Sequence, residues 1–467
     1  MTNKGIEGLH LVRFGTAADQ KYLCGEFLGT YDQLVVNATI VAHMPNGIAL
    51  FLLQKADKKP YFIDPQTHAF QHGLDFLYSK SQKTGSSGDQ PKIKRSVAKL
   101  LKEYGDPVAA AVNKNKQPVF PDNFVDKKLS KEFCKRVLDF QRNAIACEAK
   151  QSDSKEYYDF AAQKKGISAP SYEPSLLVAP YFFMQASTFD KWLKVNLNCA
   201  RFSSELVKNL PLAIQIVISQ DILTNKDLRN ELIQEYLNLP SPPAYFLVWI
   251  DQFSEHEASE ENLRAYVELI KGLGERARVV NLYGSFFSVA LKQLKAVPQL
   301  AGICHGLNYG EDRGVVPVGG GLPWAKFYYP GLHKRLLFRE ALRAVKAILA
   351  KRGTDYHKNV CNCEECRKVV ASDPIQDFAL YGVTKPISFF RGNQPIATEY
   401  PLPETTDHCL RHYLWCKQRE YHGRISLDSI LDELNEMGYI QKVLGLGTTS
   451  HCKTWSRVLG GSRADGR

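Results

Sequence analysis

Short apolar runs alternate with amphipathic segments through the middle of the chain. The apolar runs cover residues 176–183, 212–218, 244–250, 278–283 and 300–305. The intervening segments, such as 257–275 and 285–297, have a helical pattern. Strands buried on both faces appear as continuous apolar runs, and their alternation with helices indicates βαβ units around a parallel sheet.

Polar and glycine residues recur where these strands end, which favours a barrel over a doubly wound open sheet. They are Asp64, Asp251, Gly284 and the pair His305-Gly306. The strand ends of a (β/α)8 barrel form one shared active-site face. No GxGxxG motif follows the first strand, which argues against the dinucleotide-binding alternative. We therefore predict an α/β protein with a (β/α)8 TIM-like barrel.

Different patterns flank this region. Two apolar segments, 34–42 and 48–53, enclose Asn46-Gly47 and predict a β-hairpin. Residues 61–64 predict a short strand, and 96–170 are charged with a helical pattern. The predicted organisation has three parts. They are an N-terminal β elaboration over 1–60, a barrel over 61–355 with a helical insertion at about 71–170, and a zinc-binding and helical region over 356–467.

Composition narrows the class of protein. No run of about 18 uncharged apolar residues occurs, so we predict no transmembrane helix. The N-terminus lacks the apolar core of a secretory signal. Most of the 11 cysteines are scattered singly, as in a reduced cytoplasmic protein. The net charge of +11 suits a nucleic-acid partner, and a basic soluble protein without such a partner fits it equally well.

Three of the cysteines are clustered. Cys361, Cys363 and Cys366 provide three thiols within one short segment, and zinc takes four tetrahedral nitrogen or sulfur ligands. We predict a closed, structural Zn²⁺ site whose fourth ligand comes from further along the chain. The available residues are His408, His412, His422, Cys409 and Cys416.

This Cys-x-Cys-x-x-Cys cluster after a barrel, followed by a histidine on a helix, resembles the tRNA-guanine transglycosylase superfamily. That superfamily includes tRNA enzymes and DNA 7-deazaguanine transglycosylases, which exchange guanine in a polynucleotide for a 7-deazaguanine base. The resemblance extends over roughly residues 55–425. It implies a polynucleotide partner, and homodimerisation or a partner subunit.

The resemblance also implies roles for single residues. Asp64 stands in a segment similar to the family's D-S-G-G-F, although the glycines are absent, and Asp251 matches the aspartate that reads the guanine edge. Tyr283-Gly284 resembles the start of Q-G-S, with tyrosine in place of glutamine. His305-Gly306 opens a segment similar to G-G-L-x-x-G-E, and His408 matches the zinc histidine. The resemblance thus implies that Tyr283, Gly284, His305 and Gly306 contact the substrate base.

The family's nucleophilic aspartate and its T-R-x-x-R-N-G-like loop have no clear counterpart in this chain. Asp355 and Asp312 are the candidates, in addition to Asp64 and Asp251. Base exchange needs a carboxylate that attacks the sugar C1′ and a group that handles the proton of the base. The favoured interpretation is a guanine transglycosylase of the DNA-acting branch. The alternatives are a non-catalytic nucleic-acid-binding subunit and an unrelated barrel enzyme with a structural zinc.

Overall fold

Parallel strands form a nearly closed barrel with eight strand positions in this computed structural model. The strands are β1 His10–Phe14, β2 Gln33–Asn37, β3 Tyr61–Asp64, β4 Leu177–Val178, β5 Phe183–Met184, β6 Leu212–Ile218, β7 Tyr245–Ile250, β8 Arg278–Asn281 and β9 Leu300–Gly306. Their order is β3-β2-β1-β9-β8-β7-β6-β4, and β5 continues β4 along β6. The Ser175 N–H donates to the Tyr61 carbonyl at 2.7 Å, which brings the two ends of the sheet together. The predicted barrel is therefore confirmed.

The structure describes residues 5–6, 8–57, 59–78, 92–150, 173–308, 310–316, 324–391 and 394–461, with isolated positions between 156 and 164. Within these ranges, alternate strand residues face opposite sides of the barrel. On β7, Leu247 and Trp249 pack in the interior, whereas Phe246 and Val248 pack against the surrounding helices. Because both faces are buried, the strands appear in the sequence as unbroken apolar runs.

Helices surround the barrel and make up most of the C-terminal region. Before β9 they are Ala38–His43, Pro45–Leu50, Leu74–Leu77, Arg95–Tyr104, Lys127–Lys150, Phe189–Leu206, Gln220–Thr224, Lys226–Leu237, Glu260–Gly274 and Phe286–Gln293. After β9 they are Phe338–Arg352, Tyr356–Asn359, Glu364–Val369, Pro374–Phe378, Pro403–His422, Leu427–Glu436, Gly438–Leu444 and Leu446–Gly461. None of the described helices is both long and apolar enough to cross a membrane. The predicted insertion at 71–170 includes three of these helices and lies partly outside the described residues.

The predicted N-terminal hairpin is wrong. Residues Gln33–Asn37 form a parallel barrel strand, and the following apolar residues form two short helices and a π-helical turn, Phe51–Lys55. Asn46-Gly47 lies inside the second helix, which begins at Pro45. Short apolar runs buried in a helix and in a strand have the same sequence signature. β1 and β2 are therefore barrel strands and not an elaboration outside it.

Two antiparallel ribbons belong to the C-terminal region. They pair β10 Lys326–Tyr329 with β11 Lys334–Leu337, and β12 Thr384–Arg391 with β13 Gln394–Pro401. Helix Pro403–His422, here called the anchor helix, packs against β10. Its Lys417 is fully buried and pairs with Glu311, just after β9, and with Glu420. Burial alone would lower the pKa of Lys417, but these two carboxylates raise it above its ordinary value.

We expect Lys417→Met to destabilise the protein, because the substitution leaves buried Glu311 without its cation and Glu420 with His333 alone. Removing one partner of a buried ion pair costs about 3–5 kcal/mol. Urea unfolding monitored by circular dichroism measures the loss. The matched control is Lys131→Met, whose partner Glu205 lies on the surface, and which should change stability by about 1 kcal/mol or less. Equal effects of the two substitutions would contradict this role for Lys417.

Candidate functional site

Thiol and imidazole side chains meet in a buried cluster between the segment 361–366 and the anchor helix. The ligand atoms of Cys361, Cys363, His412 and Cys416 all lie within 4.8 Å of one another. His412 Nδ1 is 3.2 Å from Cys363 Sγ and 3.6 Å from Cys416 Sγ. Four such donors are the ligand set of closed, structural zinc sites. The residues therefore fit a zinc ion.

Local structure orients these donors. Cys363 caps helix Glu364–Val369, where its sulfur accepts the Cys366 backbone N–H at 3.4 Å. His412 Nε2 donates to the Tyr328 carbonyl at 2.6 Å. This hydrogen bond fixes the ring and its tautomer, so Nδ1 is the atom left to bind a metal.

Cys366, one of the predicted ligands, lies beside this group. Its sulfur is 3.3 Å from His412 Nδ1 and is also contacted by the hydroxyls of Tyr356 and Tyr381. Cys416, which comes one helical turn after His412, was among the open alternatives in the sequence. Five donors therefore converge where zinc requires four.

His408, the predicted zinc histidine, lies outside the cluster. Its Nδ1 is hydrogen-bonded to Glu365 Oε1 at 2.6 Å, and its side chain is half-buried. The anchor helix begins at Pro403 and comes level with the thiols only one turn after His408, at His412. The prediction is corrected to His412.

Asp64 ends β3 at the C-terminal mouth of the barrel, where three groups donate to it. Arg13 Nη1 donates to Oδ2 at 2.7 Å, and the Tyr181 hydroxyl donates to Oδ1 at 2.6 Å. The Gln66 N–H also donates to Oδ1, at 3.0 Å. Burial alone would raise the pKa of the Asp64 carboxyl, but the Arg13 charge and the Tyr181 hydrogen bond hold it below its ordinary value. Asp64 is therefore a buried carboxylate that is ionised at neutral pH.

Aromatic rings lie beside this ion pair. The Trp249 and Tyr283 ring centroids are 5.0 Å apart, and His68 meets Trp249 edge-on at 5.2 Å. The Arg13 guanidinium carbon is 5.0 Å from the Tyr283 centroid. Burial lowers the pKa of His68 to about 3, so its ring is neutral at pH 7. Apolar walls next to a few fixed polar groups are typical of sites for small, flat ligands.

The segment 310–316, which follows β9, covers this mouth. Trp249 Nε1 donates to the Arg313 carbonyl at 3.0 Å, and the Val315 N–H donates to Asp251 Oδ1 at 2.6 Å. Asp251 thus lies at the strand end, as predicted. One of its carboxylate oxygens holds the covering segment.

The predicted base-contacting residues after β8 and at the end of β9 have different surroundings. The Tyr283 side chain packs in the barrel interior. The Gly284 N–H donates to the Cys304 carbonyl at 3.0 Å, and the Gly306 N–H donates to the Gly310 carbonyl at 2.9 Å. Both glycine amides are therefore engaged within the protein. A Cβ on Gly284 would lie 2.6 Å from a methyl group of Ile303, so close packing requires glycine there.

His305 faces away from the barrel interior, contrary to its predicted place in the base pocket. Its Nε2 lies 2.7 Å from His10 Nε2, and Tyr413 and Tyr421 of the anchor helix lie against the two rings. The neighbouring Cys304 packs in the interior, and strand residues alternate between faces, so His305 points outward.

The two remaining carboxylate candidates lie outside the Asp64 cluster. Asp312 lines a cavity of about 410 Å³, together with Lys334 and Arg335, between the segment after β9 and the C-terminal region. Asp355 caps helix Tyr356–Asn359, where its Oδ1 accepts the Lys358 N–H at 3.0 Å. Its carboxylate thus has a structural role at a helix terminus.

The closest partners of Asp64 are not among the site residues that the sequence predicts. They are Arg13, in the predicted N-terminal elaboration, and Tyr181, in a predicted apolar strand. The sequence does contain a signal for Arg13, which is a charged residue between two apolar residues, Val12 and Phe14. A charge at an inward-facing position of a buried strand requires a partner.

Comparison with known proteins found no matching family model, curated protein or solved structure. The structure itself shows a cysteine- and histidine-lined cluster in the C-terminal region that could hold a metal ion, and a charged, aromatic cluster at the barrel mouth.

We expect His412→Ala to retain less bound zinc than His408→Ala, because only His412 contributes a ligand to the cluster. Zinc content per chain, measured by atomic emission after dialysis against a weak chelator, tests this expectation. Circular dichroism confirms that both variants fold before they are compared. Zinc retained by His412→Ala and lost from His408→Ala would reverse the assignment.

Proposed function

We propose that this chain is a base-exchange glycosyltransferase. It replaces guanine in a polynucleotide with a 7-deazaguanine base through a covalent carboxylate intermediate. The observation that carries the proposal is Asp64, a buried carboxylate held ionised beside aromatic walls at the barrel mouth. Catalytic residues of (β/α) barrels lie at this end. DNA is the favoured polymer over tRNA, because the sequence departs from the pattern of the tRNA enzymes.

Asp64 is the proposed nucleophile. One of its oxygens attacks the sugar C1′, and the electrons of the N-glycosidic bond leave with guanine, which takes up a proton. The incoming base then gives up its proton and attacks the same carbon, which releases the carboxylate. Asp64 suits this step because Arg13 and Tyr181 hold it in one place and in one charge state.

The surrounding groups suit the base. The target nucleotide leaves its stack to reach a pocket of this kind, and aromatic side chains then take the place of its neighbours. Trp249 and Tyr283, which pack against each other, supply one such wall, and Asp251 is the proposed acceptor for the guanine N1–H and amino group. The segment 310–316 must move for the base to enter, since it covers the mouth. Zinc, when bound, cross-links the segment 361–366 to the anchor helix and takes no part in the reaction.

The test is incorporation of labelled guanine into a polymer. Purified protein is incubated with duplex DNA, single-stranded DNA or unmodified tRNA. We expect label in one polymer with the wild type. We also expect a loss of at least about a thousandfold with Asp64→Asn, because the amide is not a nucleophile. Asp355→Asn is the matched control and should retain wild-type incorporation, since Asp355 only caps a helix.

Two outcomes would overturn the assignment. Full incorporation by a folded Asp64→Asn variant would remove Asp64 from the reaction. No incorporation into any polymer by zinc-loaded wild-type protein that still binds polynucleotide would favour the alternative, a non-catalytic nucleic-acid-binding subunit that acts with a catalytic partner.

A further inference from the structure

Arg13 lies inside the barrel with only one part of its guanidinium engaged. The side chain is 3% exposed. Its Nη1 donates to Asn37 Oδ1 and to Asp64 Oδ2, both at 2.7 Å. These two bonds join the ends of β1, β2 and β3 and hold the guanidinium in a fixed orientation.

The other two nitrogens of Arg13, Nε and Nη2, are buried and have no hydrogen-bond partner among the described residues. They share one edge of the planar guanidinium, so their N–H bonds run parallel and form a two-pronged donor. Buried donors of a charged group are normally satisfied, because leaving them unpaired is costly. This free edge therefore indicates a ligand with two adjacent acceptors.

The surroundings of Arg13 restrict the shape of that ligand. The Tyr283 ring centroid lies 5.0 Å from the guanidinium carbon, and the Trp249 ring centroid lies 5.0 Å from that of Tyr283. The Tyr283 hydroxyl is also buried without a partner among the described residues. The unpaired polar groups therefore lie among aromatic rings, an environment that accepts a flat, conjugated molecule.

We propose that the free edge of Arg13 reads O6 and N7 of the guanine that leaves, and so makes the site specific for 6-oxopurines. This inference rests on the proposed function and assigns its base selectivity to one side chain. Arginine pairs with guanine through these two acceptors, whereas adenine presents an amino donor in place of O6. A 7-deazaguanine lacks the N7 acceptor and receives only one of the two bonds.

Binding of 9-methylpurines tests the assignment without any chemistry, because the methyl group stands where the sugar is attached. Equilibrium dialysis compares 9-methylguanine, 9-methylhypoxanthine, 9-methyladenine and 9-methyl-7-deazaguanine. For the wild type we expect the first two to bind at least about tenfold more tightly than the last two, since one bidentate contact discriminates by about that factor or more.

Arg13→Lys is the informative variant. Lysine keeps a positive charge next to Asp64 but lacks the planar fork, so the barrel should fold while the preference falls toward equal binding of all four bases. Arg13→Gln is the second variant and removes the charge as well. Arg229→Gln is the matched control, because Arg229 is a buried arginine that pairs with Glu268 on the helical exterior. It should keep the wild-type preference.

The outcomes separate this inference from the proposed function. Unchanged base preference in folded Arg13→Lys overturns the assignment, even if the wild type incorporates labelled guanine into a polymer. Equal binding of all four bases by the wild type, or binding of none, overturns it as well. A preference for 6-oxopurines that depends on Arg13, in a protein that exchanges no base, supports the assignment and rejects the proposed reaction.

Discussion

One buried lysine fixes the position of the anchor helix of the C-terminal region against the barrel. Lys417 of the anchor helix lies between Glu311, just after β9, and Glu420, with no exposure to solvent. Burial alone would raise the pKa of Glu420, but the Lys417 charge and a hydrogen bond from His333 lower it to about 2. Charges of this kind are tolerated in the interior only when paired, so the network fixes the position of the anchor helix. Cys416, next in the chain, is fixed with it.

The ion pair between Lys417 and Glu311 also connects the anchor helix to the barrel mouth. Glu311 belongs to the segment 310–316, whose other end is held by Trp249 and Asp251. The segment thus extends from the anchor helix at one end to the aromatic wall at the other. The anchor helix, which carries His412 and Cys416, is thereby connected to the barrel mouth through this segment.

The sequence predicts the elements whose burial leaves a clear apolar pattern. It does not predict which side chains meet when that depends on the three-dimensional path of the chain. The strands from 212 to 306 and the clustered thiols follow from apolar runs and residue chemistry. The choice of His412 over His408 depends on where the anchor helix passes the thiols, and the outward direction of His305 depends on strand parity, which the sequence leaves open. Residues 34–53 were assigned wrongly because a short buried helix resembles a strand.

The middle and the mouth of the barrel interior differ in how their side chains contribute to stability. Its middle is filled by apolar side chains such as Leu11, Val35 and Leu247, as stability requires. At the mouth, however, the chain places Arg13 and Asp64 and leaves part of the guanidinium unpaired. Well-packed apolar side chains in place of a buried ion pair often give at least equal stability. Polar groups that cost stability are commonly retained where a ligand uses them, which supports the proposed site at the mouth.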